Sequence, residues 1–281
     1  MDSADPTDST VSIRVLSGRL RVLRNAGVTH LKRRSETQSQ MASSKVTGEK
    51  PDVDQQEDRP LPLSAVSSNQ RTTVTAESRL LDAPIRDSGM TFKERTEALN
   101  VVERKVARCR KCTDLVENRT QTVFGVGNVQ PRLVFFGEGP GADEDRQGEP
   151  FVGRAGQLLT KIIEACTLKR EDVYIMNVVK CRPPGNRNPE SDEIANCRPF
   201  FEQQLEILQP EFICCLGAVA ATTLLDTKLS IGKLRGKFHD YRGIKVLATY
   251  HPAYLLRNPN AKKYVWDDMK ILMAEMDIQL D

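Results

Sequence analysis

Beyond residue 130 of the chain, short apolar runs alternate with longer stretches in which apolar residues recur every three or four positions. The runs at 132–136, 173–179, 212–216 and 245–249 are apolar on successive residues, not on alternate ones. Strands that read this way are covered on both faces, as in a parallel sheet held between helical layers. The periodic stretches at 156–165, 191–208, 218–225 and 261–276 predict the intervening and following helices. A further helix is predicted from residue 92 to about 108, because Thr91 and Glu94 form a capping-box pair at its start. Strands separated by helices connect by right-handed crossovers. The expected fold class is therefore α/β, with a central four-stranded parallel sheet and no internal repeat.

Residues 1–90 break this pattern. They hold no aromatic residue and are rich in Ser, Thr, Asp, Arg and Pro. Such a segment cannot bury enough apolar surface to offset its chain entropy. A disordered N-terminal extension over 1–90 is expected, followed by one folded domain over 91–281. Between Asp8 and Glu36 the extension carries seven bases and no acid: Arg14, Arg19, Arg21, Arg24, Lys32, Arg33 and Arg34. That run fits a solvated tail before it fits a nucleic-acid tether or an organelle-targeting helix. Over all 281 residues the balance is weak, 41 basic against 38 acidic, so charge permits nucleic-acid binding without arguing for it. No apolar run is long enough to span a bilayer. Three aspartates precede any apolar run, which does not fit a secretory signal. A cytoplasmic, monomeric protein without a membrane partner is expected.

In a parallel sheet the ligand crevice lies beyond the carboxyl ends of the strands. The first strand leads into GEGPGADEDRQGEPFVG, Gly137 to Gly153, a glycine-rich turn with five carboxylates. A phosphate cradle this acidic would repel its ligand. The second strand leads to Asn177 and then Cys181-Arg-Pro-Pro-Gly, and the fourth to Thr249-Tyr-His251-Pro-Ala-Tyr. Three polar clusters on one sheet edge predict an active site. Cys109 and Cys112 form a C-x2-C pair, and Cys181 and Cys197 stand further on with fifteen residues between them. This set can complete a four-thiolate site for zinc or an iron–sulfur cluster, and spacing alone does not choose between them. The other three cysteines, Cys166, Cys214 and Cys215, sit in apolar contexts and are expected to be inert.

The segments GEGPGADEDRQGEPFVGRAGQLL, NVVKCRPPGNRNPE and TYHPAYLLR, with the four cysteine positions, closely resemble the family 4 uracil-DNA glycosylases. The resemblance covers about residues 92–276. It implies the three-layer α/β/α glycosylase fold and a 4Fe–4S cluster on Cys109, Cys112, Cys181 and Cys197. It also implies excision of uracil from DNA to leave an abasic site, as in base excision repair. No lysine in the motifs is placed to form a Schiff base, so a monofunctional hydrolase is expected.

That chemistry accounts for the acidic turn. Breaking a base–sugar bond drives the sugar toward a cation and the base toward an anion, so carboxylates belong beside the sugar and donors beside the base. The resemblance places Glu138 and Gly139 at the start of the site and Glu144 on the following turn. Gly139 stands where the better-known uracil glycosylases carry a water-activating aspartate, so Glu138 and Glu144 become the candidates for positioning water. Phe151 matches the residue that stacks on the flipped base, and Asn177 the residue that reads the uracil edge. His251 would donate a hydrogen bond to O2 of the departing base. Tyr254, Leu255, Leu256 and Arg257 resemble the loop that enters the duplex, with Leu255 and Arg257 as its expected DNA contacts. Arg182, Arg187 and Arg235 are expected to meet phosphates. Two other readings keep the same fold and cluster. A non-catalytic uracil- or abasic-DNA-binding module is opposed by the intact Asn177 and His251. A covalently trapping relative would need a basic, histidine-bearing insert where this chain reads CRPPGNRNPES.

Overall fold

The computed structural model describes residue 85 and residues 89–280, and the expectations for the rest of residues 1–90 lie outside the described residues. Ile85 already touches the fold: its backbone N–H donates to the Arg242 carbonyl at 2.9 Å, and its side chain packs at the margin of the core.

The first helix, α1 (Phe92–Ala107), begins at the expected capping box. Thr91 Oγ1 accepts from the Glu94 N–H, and the Thr91 N–H donates to the Glu94 carboxylate at 2.7 Å. Its buried face carries Arg95, Leu99, Val102 and Val106, at helical spacing. Arg95 reaches the last carbonyls of α5 (Ser191–Leu208), donating to Ile207 O and Leu208 O. A cation there satisfies acceptors that the helix itself leaves open.

The central strands are β2 (Leu133–Gly137), β3 (Tyr174–Asn177), β4 (Phe212–Leu216) and β6 (Ile244–Thr249). They are parallel, in the order β3-β2-β4-β6. Two edge strands that the sequence reading did not anticipate extend the sheet to six. They are β1 (Val126–Gly127), antiparallel to β3, and β5 (Phe238–Tyr241), antiparallel to β6. The sheet is thus mixed, with the expected four-stranded parallel sheet as its centre. Alternate strand residues feed two cores. Val134, Phe136, Ile213, Cys215, Val246 and Ala248 pack with α1, α5 and α6 (Ala218–Leu224). Leu133, Phe135, Cys214, Leu216 and Leu247 pack with α4 (Arg154–Ala165) and α9 (Lys262–Glu275). The architecture is three-layered, α/β/α. The remaining helices are short: α2 (Thr113–Asn118), α3 (Ala142–Gln147), α7 (Ile231–Leu234) and α8 (Pro252–Arg257). No helix among the described residues is long and apolar enough to cross a membrane.

Cys214 and Cys215 are fully buried in β4, and Cys166 is buried where α4 ends, as expected of inert thiols. Burial pushes the Cys166 thiol up to about 11.

Candidate active site

The chain leaves β2 toward β3 on one side and returns to β4 on the other, so the strand order reverses at β2. A crevice forms beyond the strand ends at such a switch point. Here it is a cavity of about 480 Å³. Glu138 from the end of β2, Asn177 from the end of β3, Phe151 from the turn after α3 and His251 after β6 all line it. Gly139, Glu144, Arg187 and Arg257 share the lining.

Asn177 ends β3 opposite Gly137, and its side chain is almost wholly enclosed. Its Oδ1 is buried with no hydrogen-bond partner. An acceptor left unpaired in this way is costly unless a ligand supplies the donor. Gly137 makes the arrangement possible. A Cβ there would lie 2.3 Å from Asn177 Oδ1 and 2.6 Å from Phe151 Cζ, so the amide and the ring close on the same point above a bare backbone.

Phe151 has a left-handed backbone, φ 54°, a conformation rare for an aromatic residue. Such strain persists only where the surroundings over-determine it. Glu144 Oε1 accepts from the N–H groups of Val152 and Gly153, both at 2.9 Å, while its Oε2 accepts from the Gly141 N–H. From the other side, Arg170 Nη2 donates to Pro150 O and Nη1 to Thr160 Oγ1. Gly156 removes the last obstacle, since a Cβ there would fall 1.8 Å from Phe151 O. Glu144 was expected to position water; it also builds the turn, accepting from three backbone amides with one Oε2 lone pair left for the cavity. Arg170 was missed: it lies in a loop between α4 and β3, outside every motif.

His251 caps α8. The Ala253 N–H donates to His251 Nδ1 at 3.1 Å. Since Nδ1 is the acceptor, the neutral ring carries its proton on Nε2. Burial, with a smaller effect from Arg257, lowers His251 from the usual 6.5 to about 4, so at neutral pH it is an uncharged donor. Its ring lies 5.6 Å from that of Phe151, centroid to centroid. Burial acts oppositely on Glu138 and raises its carboxyl above the ordinary range.

The four expected cysteines stand just past α1's end, at α2's start, in the segment after β3 and on α5. Cys112 and Cys181 both feel the charge of Cys109, and Cys197 that of Cys181 and Cys112. Arg119 Nη1 donates to Cys181 Sγ at 2.9 Å, and Asn196 Nδ2 to Cys112 Sγ at 3.5 Å. The thiols therefore act as hydrogen-bond acceptors, as thiolate ligands do. Among the described residues no three His, Cys, Asp or Glu side chains close around a single metal ion. Lys180, also buried, donates to Asn177 O at 2.9 Å and so joins the cysteine segment to the cavity.

The uracil DNA glycosylase superfamily model matches residues 124–270. The type-4 uracil-DNA glycosylase of Thermotoga maritima is 51% identical over 166 residues, covering 58% of this chain and 86% of the relative. That of Archaeoglobus fulgidus is 44% identical over 182 residues, covering 62% of this chain and 91% of the relative. That of Saccharolobus solfataricus is 45% identical over 195 residues, covering 65% and 90%. The chain belongs to the uracil DNA glycosylase superfamily, in its type-4 group.

On this glycosylase-family chain, several side chains expected to meet DNA are committed elsewhere. Leu255 is 1% exposed, packed in the core with Pro252, whereas Tyr254 and Leu256 point outward. Pro252 and Leu255, three positions apart, form the inward face of α8. Arg187 is bidentate on Glu193, at 2.7 and 2.8 Å, and also pairs with Asp114. It pins the Cys181–Cys197 loop while part of its side chain still lines the cavity. Arg235 is bidentate on Asp268, a carboxylate with no exposed surface. Arg182 donates to Asn186 Oδ1 at the loop surface. Arg257 is exposed at the cavity rim.

Proposed function

We propose that this protein is a monofunctional uracil-DNA glycosylase that hydrolyses the bond between uracil and deoxyribose in DNA, leaving an abasic site for base excision repair. The observation that carries this reading is the unpartnered Asn177 Oδ1, buried at the cavity beside the Phe151 ring and the neutral His251. Uracil N3–H is the donor that Oδ1 lacks, and the amide nitrogen suits O4. Cytosine carries an acceptor at N3 and would leave Oδ1 unpaired, which gives strong discrimination. Phe151 replaces the stacking that the base loses on leaving the duplex.

As the N1–C1′ bond breaks, its electron pair moves into the uracil ring. The His251 Nε2–H donates to O2, where the charge collects. The sugar becomes an oxocarbenium ion. Water adds to C1′, and Glu138, at the cavity wall, takes its proton. Glu144 acts through Phe151 by fixing its turn.

Cys109, Cys112, Cys181 and Cys197 would hold a 4Fe–4S cluster. The set of four cysteines, with Arg119 donating to Cys181 Sγ, suits iron–sulfur ligation. When bound, such a cluster cross-links α1, α2, α5 and the segment that follows Asn177. The protein purified without chelator is expected to be brown, with about four iron atoms per chain, and Cys181→Ala to lose that iron and colour. Colourless protein carrying zinc overturns the assignment.

The reading is tested with a uracil-containing oligonucleotide treated with enzyme and then alkali. Wild type releases uracil and leaves an alkali-sensitive strand, and a matching cytosine strand stays intact. Asn177→Ala lowers the excision rate by about 5- to 150-fold, the cost of one buried hydrogen-bonded contact. Binding without release, or an alkali-resistant protein–DNA adduct, would sink the proposal.

A further inference from the structure

The rim of the cavity continues into a strip of aromatic rings that the proposed chemistry does not use. Tyr254, on the rim, lies 5.1 Å from Tyr250 with the ring planes 31° apart. Tyr250 in turn lies 6.4 Å from Tyr264. The Arg235 guanidinium stands over both Tyr250 and Tyr264, at 5.6 and 5.1 Å, and Lys263 Nζ stands 4.9 Å over Tyr264. Tyr254, Leu256 and Tyr264 are between 39 and 42% exposed. Exposed rings on adjoining elements, α8 and α9, mark a recognition surface more often than chance.

We propose that this strip is a second binding subsite, which takes unpaired nucleobases of the strand flanking the uracil. It rests on the uracil-excision reading, because Tyr254 is shared with the cavity that would hold the flipped base. Two observations favour nucleic acid over a protein partner. The strip begins at that cavity, and its free charges are cations: Arg257, Lys262 and Lys263 are exposed, whereas Asp267 is paired with Lys270 at 2.7 Å. Aromatic faces alternating with cations are what a single strand needs, bases on the rings and phosphates on the charges. Arg235 is already neutralised by Asp268, so it serves as a rigid spacer between Tyr250 and Tyr264. Paired bases hide their faces within the duplex, so the strip selects single-stranded flanks.

The test uses single-stranded oligonucleotides with one uracil and a progressively longer flank on either its 5′ or its 3′ side, together with a uracil-free strand for direct binding. For wild type, KM falls as one of the two flanks lengthens. Tyr264→Ala loses about 5- to 100-fold of that gain and weakens uracil-free strand binding in step, while kcat and the KM of the shortest substrate stay unchanged. Tyr264→Phe keeps the gain, since the ring and not the hydroxyl does the stacking. Wild-type length dependence in Tyr264→Ala, or none in wild type on either flank, overturns the inference. If wild type releases no uracil from any substrate, the excision reading fails, and the uracil-free binding of Tyr264→Ala still decides the strip on its own.

Discussion

His251→Ala lowers the single-turnover rate of uracil excision by about 10²- to 10³-fold while uracil-DNA binding stays near wild type. That is the usual loss when one preorganised donor to a developing anion is removed. The donor works because it is neutral and oriented: the Ala253 N–H occupies Nδ1, so the proton must sit on Nε2. The ring titrates at about 4, well below neutral pH. Two pH results follow. The acid limb of the rate profile belongs to Glu138, whose carboxyl is raised by burial, so it persists in the residual activity of His251→Ala and disappears in Glu138→Gln. Stability carries the histidine's own signature. The unfolded chain takes up a proton near 6.5 and the folded chain not until about 4. The stabilisation is therefore complete above pH 6.5 and is lost as pH falls from 6.5 to 4, by at most about 3 kcal/mol. His251→Asn flattens that window in a denaturant-melt series. A wild-type excision rate in His251→Ala would remove the residue from the chemistry.

Arg235→Ala destabilises the protein by about 3–5 kcal/mol, a fall in Tm on the order of 10 °C. Asp268 has no exposed surface and is held by two Arg235 bonds and by the Thr249 hydroxyl at 2.6 Å. Removing the guanidinium leaves a buried charge with only the hydroxyl and a backbone N–H to stabilise it. The double variant Arg235→Met with Asp268→Leu regains most of the loss, because a well-packed apolar pair replaces a buried ion pair at little cost. Thr249 lies two residues before His251, so the single variant also loses excision rate, and the double variant recovers it. A DNA phosphate contact would behave otherwise, with an unchanged Tm and a shallower salt dependence of binding.

Legibility in the sequence followed burial. The four central strands could be read because both faces are covered and nearly every residue is apolar. The edge strands could not: β1 is two residues long, and β5, Phe-His-Asp-Tyr, is half exposed and half polar. The helix at 92 was announced by Thr91 and Glu94, which are local. Glu138, Phe151, Asn177 and His251 could be gathered on one cavity because each follows a strand end or a turn that the motifs mark. Charged partners were the weak point. Arg235 and Glu144 are held by a residue far along the chain or by backbone amides, which one-dimensional spacing does not show, and Arg187's partner Glu193 falls on the next helix, α5. Leu255 and Leu256 are equivalent in composition, and only the orientation of α8 against the core separates buried from exposed.

The two short antiparallel strands have a consequence for how this protein survives at high concentration. Central strands this apolar would, if laid bare at a margin, template pairing with another molecule and seed fibrils. β1 shields Tyr174 and Ile175 of β3, and β5 runs against the outer side of β6 from Ile244 to Leu247. Gly127→Val would strip the first of these guards, since a Cβ there would lie 1.9 Å from Val173 O, and should make the protein more prone to precipitate on storage.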